Sequence, residues 1–138
     1  MVVHLLVRNS PKGLEAAITE TFSKVKGAYS ILLMTQDKLV AIRDPGGFRP
    51  LCLGQFSNGA YIVASETCAL DLVEAQYIRD VEPGEVLIID KNGLKSLFPW
   101  PKQQHSFCIF EQVYFARPDS KFDGKYVCYK SKMLKIRD

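Results

Sequence analysis

Two apolar runs, AYSILLMT at 28–35 and KLVAIRD at 38–44, are separated by no more than a polar pair around Asp37 and Lys38. A gap that short can only reverse the chain, because a parallel neighbour needs a crossover of a dozen or more residues. The pattern predicts an antiparallel hairpin. It recurs: FRPLCLGQF at 48–56 breaks at Asn58-Gly59 and resumes as AYIVAS, and Asn-Gly between apolar runs is the strongest short hairpin signal. VEPGEVLIID, KNG and LKSLF repeat the sequence of strand, turn and strand over 81–98.

Helical spacing appears twice. Leu14, Ala17, Ile18, Phe22 and Val25 share one helix face, with Ser10 as cap, Pro11 in the first turn and Gly27 as terminator, which predicts a helix over 11–26. ETCALDLVEA predicts a short helix over 66–75, capped by Ser65, with Glu66 at the positive end of its dipole. Helices interleaved with hairpins give an α+β fold with antiparallel sheets. PWPKQQHS at 99–106 is a proline-punctuated loop.

The 138 residues, 47% of them hydrophobic, suffice for one modest core, so a single domain or part of one is expected. A net charge of +3 comes with a lysine-rich end, Lys121, Lys125, Lys130, Lys132 and Lys135, read as a solvated tail. No basic face with interleaved aromatics points to nucleic acid, and no apolar run points to a membrane span or a secretory leader. Cysteines 52, 68, 108 and 128 form no C-x-x-C pair and the chain has two histidines, His4 and His105, so zinc is disfavoured and reduced, packed thiols are expected. His105 and Cys108 lie three apart, too little to make a nucleophile without a base held in reach.

Neither a G-x-S-x-G elbow nor a phosphate-cradling glycine loop occurs. DPGG sits between strands and reads as a turn, with Arg43, Asp44 and Arg49 around it; a charge-assisted pair from Asp44 to an arginine would stiffen the loop. Ser65 and Glu66 read as cap before ligand.

Four strings taken together, VKGAYSILLMTQDKLVAIRDPGGFRPLCLG, GAYIVASETCALDL, YIRDVEPGEVLIID and CIFEQVYFARPDS, resemble the glutaminase half of amidophosphoribosyltransferases over roughly 14–127. RDPxGxRPL, ASET and FExVYFARPDS carry the resemblance; Gly46 stands where the family usually has a larger residue.

The resemblance implies a class II glutamine amidotransferase domain of the N-terminal-nucleophile type, an αββα sandwich of antiparallel sheets between helix layers. Here it would be incomplete: residues 1–127 as the later portion of the domain and 128–138 as a divergent tail. In that family a processed N-terminal cysteine attacks the glutamine amide with its own amino group as base. An asparagine and a glycine amide hold the oxyanion, and an arginine and an aspartate hold the substrate. None of these positions has a match in this sequence, so no catalytic or substrate-binding residue is carried over. The family's phosphoribosyltransferase half, which uses Mg with phosphoribosyl pyrophosphate, has no match either.

FExVYFARPDS resembles the join between the two halves, so Glu111, Tyr114, Arg117, Asp119 and Ser120 are expected to fix interdomain geometry. Cys108 matches the first ligand position of the iron–sulfur cluster found in some members, and a lone thiolate does not hold a cubane cluster, so no cofactor is expected in this chain. The expectation is a polypeptide inert alone, in the cytosol or a plastid. Alternatives are one half of a split glutaminase, or a module that self-associates or docks on full-length relatives.

Overall fold

The first two predicted hairpins form in different sheets. In the computed structural model, which describes residues 2–101, 103–106, 108, 110, 114, 116–122 and 125–126, strands β1 (Ser30–Met34) and β2 (Leu39–Arg43) pair antiparallel with Leu32 opposite Ala41. Strands β3 (Cys52–Gln55) and β4 (Tyr61–Ala64) pair around Asn58-Gly59, where the Asn58 side-chain oxygen accepts from Ala60 N–H at 3.0 Å. Strand β5 (Gln76–Asp80), which sequence periodicity missed, joins β3; β6 (Val86–Asp90) and β7 (Gly93–Leu97) join β2. One sheet therefore runs β1-β2-β6-β7 and the other β4-β3-β5. A two-residue pair, β8 (Lys121–Phe122) with β9 (Lys125–Tyr126), stands apart.

Side-chain alternation stacks these sheets. Because successive strand residues face opposite sides, Val40, Ile42, Val86 and Ile88 point to one face of the first sheet. They meet Ile18 and Phe22 of helix α2 (Leu14–Phe22) and, at the margin, Val2 and Leu6 of helix α1 (Val2–Asn9). Ala41 and Leu87 point to the other face and meet Leu53 of β3, Leu51 and Val81. Cys52 turns the opposite way and packs with Leu70 of helix α3 (Thr67–Leu72) and with Ala75. The layers thus run helix, sheet, sheet, helix. β2 is central and buried on both faces, which is why LVAI reads as a continuous apolar run and not an alternating one.

The expected helix over 11–26 is corrected. Ser10–Lys12 forms a separate 3-10 turn, and Gly13, at φ 92°, breaks the backbone before α2 begins. The Ser10 hydroxyl donates to Val7 O at 2.8 Å, so it closes α1 and caps nothing downstream. The helix over 66–75 is shorter than expected as well, ending at Leu72, with Glu74 at φ 57° in the turn that follows. No described helix is long and apolar enough to cross a membrane.

Candidate functional site

Three carboxylates organise the polar interior, and each takes its place from the strand or turn that carries it. Asp44 ends β2 at the DPGG turn and is 2% exposed. Its carboxylate accepts from the backbone amides of Gly46 (3.0 Å) and Phe48 (3.1 Å), while its carbonyl accepts from Gly47 and Gly84. The expected Asp44–arginine bridge is corrected on this point: the turn is stiffened through main-chain groups. Arg43 reinforces it from the other side, its guanidinium donating to the carbonyls of Arg49 (2.9 Å), Gly47 (3.0 Å) and Val81. Arg49 itself is exposed and contributes that carbonyl.

Gly47, at φ 65°, is the position where the turn demands glycine, since a Cβ there would sit 2.6 Å from Pro83 Cγ and 2.8 Å from His105 Cδ2. Gly46 has a negative φ, yet a Cβ would lie 3.2 Å from Asp44 Oδ1, so the missing side chain relieves crowding around the carboxylate. Ser106 N–H donates to Gly46 O at 2.8 Å and ties the 99–106 loop to the turn. The cleft beside it, about 830 Å³, is lined by Phe22, Lys26, Asp44, Phe48, Trp100 and Gln103.

Glu66 is the second. The structure corrects its reading: it occupies the N-cap position of α3 in place of Ser65, and no side-chain cap bond forms there. Ser65 is exposed. The Glu66 carboxylate turns instead to the far end of the chain, where Oε2 accepts from Arg117 N–H (2.9 Å), the Ser120 hydroxyl (2.7 Å) and the Cys68 thiol (3.6 Å). Beside it Lys121 N–H donates to Thr67 Oγ1 at 2.8 Å. ASET and RPDS, 50 residues apart, are thus one structure. Ser120 is fully buried, whereas Arg117 and Asp119 pair with each other at 2.9 Å on the exposed rim. Tyr114 is exposed and stacks on Phe110 with ring centroids 5.9 Å apart; Glu111 lies outside the described residues.

The third, Glu85, was missed by sequence reasoning. Its side chain is wholly buried and accepts from both ends of the Arg79 guanidinium (2.7 and 2.8 Å), from Ser96 Oγ (2.5 Å) and from Glu82 N–H (2.7 Å). Burial works to raise its pKa, but those hydrogen bonds and the Arg79 charge leave it below the ordinary carboxylate value. Arg79 on β5 and Ser96 on β7 belong to different sheets, so this carboxylate braces the sandwich.

Two of the three described thiols are occupied by their surroundings. Cys52 is buried, and desolvation, with the Asp80 charge second, pushes its pKa up to about 12, so it stays protonated. The Cys68 thiol donates a hydrogen bond to the Glu66 carboxylate, which already accepts from two other donors. Cys108 is half-buried, and among the described residues no group of three or more His, Cys, Asp or Glu converges to hold a metal. A cubane cluster takes four thiolates, so the described residues do not by themselves fit one.

Residues 2–72 match the family model described as a glutamine amidotransferase domain. The chain belongs to that family. The glutamine amidotransferase match starts at residue 2, well before the motifs that carry the resemblance in the sequence. The chain is 50% identical over 132 residues to amidophosphoribosyltransferase 1, chloroplastic, of Arabidopsis thaliana, covering 96% of this chain and 23% of that protein. It is 45% identical over 124 residues to the amidophosphoribosyltransferase of Bacillus subtilis, covering 90% and 26%. The solved glutamine phosphoribosylpyrophosphate amidotransferase from B. subtilis, complexed with ADP and GMP, superposes with a TM-score of 0.86 at 44% identity, over 91% of this chain and 28% of that one. The chain therefore spans about a quarter of the relatives it matches. The four layers are those of the N-terminal-nucleophile glutaminase domain in incomplete form, as the resemblance implied.

Proposed function

We propose that this chain forms the later part of the glutaminase half of an amidophosphoribosyltransferase, the enzyme that uses glutamine nitrogen to begin purine synthesis. It supplies the scaffold and the exit from that half, and the chemistry is done elsewhere. The observation that supports this best is the clamp between ASET and RPDS, since it fixes the segment that the resemblance reads as the join between two enzyme halves. The 138 residues alone do not hydrolyse glutamine, because the Cys52 thiol is buried and held protonated and the Cys68 thiol is hydrogen-bonded to Glu66. The remaining portions of the enzyme cover Val3 and Val7 of α1, both 66% exposed, and Met34 at the edge strand, 85% exposed. Its compartment is that of its relatives, a bacterial cytosol or a plant plastid.

A chimera tests the proposal. Replacing the matching stretch of the B. subtilis relative with this chain is expected to retain glutamine-dependent synthesis of phosphoribosylamine. A soluble, folded chimera that uses ammonia but not glutamine would overturn the glutaminase assignment.

A further inference from the structure

We propose that Glu66 is a positioning residue that sets the register between the glutaminase scaffold and whatever follows Ser120, and so couples the release of ammonia to its use; the coupling role rests on the function proposed above. One carboxylate oxygen gathers the main-chain amide of Arg117, the hydroxyl of Ser120 and the thiol of Cys68, and the adjacent Thr67 hydroxyl accepts from Lys121 N–H. Two of these bonds hold backbone directly. They fix position and direction at residues 117 and 121 together, so the chain leaves the sandwich along one path.

The surrounding structure is built around that acceptor. Ser120 is 0% exposed and Thr67 6% exposed, so both hydroxyls need the partners they have. Within the loop, Ser120 N–H donates to Arg117 O at 3.0 Å, so the turn is preformed and presents two donors to one oxygen. The Arg117 guanidinium hydrogen-bonds Asp119, and it is the Arg117 backbone amide that donates to the Glu66 carboxylate. Glu66 therefore acts first as an acceptor of neutral donors. A glutamine, whose amide oxygen still accepts though more weakly than a carboxylate, would serve in large part; an alanine would not.

The test has two arms. In the 138-residue chain, Glu66→Ala is expected to speed amide exchange at Arg117 and Lys121 by about tenfold, the worth of one charge-assisted hydrogen bond, while the amides of β2 and β6 keep their protection. Glu66→Gln is expected to restore most of that protection. In the B. subtilis chimera, Glu66→Ala is expected to raise free ammonia per phosphoribosylamine several-fold with glutamine as donor, with activity on added ammonia within about twofold, and Glu66→Gln to recouple it. A merely structural contact would lower both activities together.

Unchanged exchange at Arg117 and Lys121 in the alanine variant would overturn the clamp. Faster exchange with an unchanged ammonia-to-product ratio would overturn the coupling role. A chimera inert toward glutamine before any Glu66 substitution would overturn the functional reading and the coupling role with it, while the exchange arm would still decide the clamp.

Discussion

Glu85 and Glu66 each gather three kinds of donor, yet they hold very different structures. The partners of Glu85 lie within eleven residues of it in sequence, at Arg79, Glu82 and Ser96, but on two sheets of the sandwich, and its side chain is wholly out of water. Two partners of Glu66 lie more than fifty residues away, in a half-exposed seam, and the donors are neutral. The first carboxylate is an ionic brace inside the core; the second is a clamp between a helix start and a late loop. Burial decides what each is worth, because an uncompensated charge in the interior costs far more than one that water can reach.

The sharpest way to break this contrast is to remove the buried acceptor. Glu85→Ala strands Arg79 beside a cavity and is expected to lower unfolding free energy by about 3 kcal/mol, measured by urea denaturation. A loss no greater than that of Glu66→Ala would erase the distinction between brace and clamp.

Acid titration tests the brace next. The folded pKa of Glu85 is below its unfolded value, so the unfolded chain binds the extra proton and stability rises with pH in that range. The contribution of Glu85 is fully present above the ordinary glutamate pKa and is lost as pH falls through the lower folded value. Stability measured from pH 6 to pH 3 is expected to drop less steeply in Glu85→Gln than in the unaltered chain; parallel curves would mean that Glu85 is not held ionised.

Smaller again, Glu66→Ala is expected to cost about 2 kcal/mol in the same denaturation experiment, since the Arg117 amide can turn to water but the buried Ser120 hydroxyl loses its acceptor. Cys68→Ala should change stability by less than about 0.5 kcal/mol, because the 3.6 Å thiol contact is the weakest that Glu66 makes. A larger loss from Cys68 than from Glu66 would invert the hierarchy inside the clamp.

What was legible in the sequence follows the range of the interaction. Hairpins at 30–43 and 52–64 could be read because strand period and turn residues are local, and Asn58-Gly59 announces its own geometry. Their assignment to separate sheets could not, since it depends on β6 and β5 arriving from later in the chain. β5 itself, QYIRD, shows mostly exposed residues and no clean alternation. The long helix over 11–26 failed because apolar spacing is insensitive to a single backbone break, and Gly13 supplies one.

The same division governs the site. The family motifs identified Glu66, Arg117, Asp119 and Ser120 as residues of interest, and the structure joins three of them on one oxygen's hydrogen bonds or their immediate turn. No sequence signal says that an SE step reaches across fifty residues, because a cap and a long-range acceptor use the same side chain at the same place. Glu85 lies inside YIRDVEPGEVLIID, one of the strings of the resemblance, yet nothing in that string marks it as interior. A glutamate before an apolar strand reads as solvent-facing, and only the spatial approach of Arg79 and Ser96 makes it interior.

The purified 138-residue chain, given glutamine and followed for ammonia, is the most direct measurement. Release equal to a no-protein control is expected if this chain is the scaffold proposed above. Release above that control, abolished by changing any one cysteine, would show a nucleophile in this chain and contradict its assignment as scaffold.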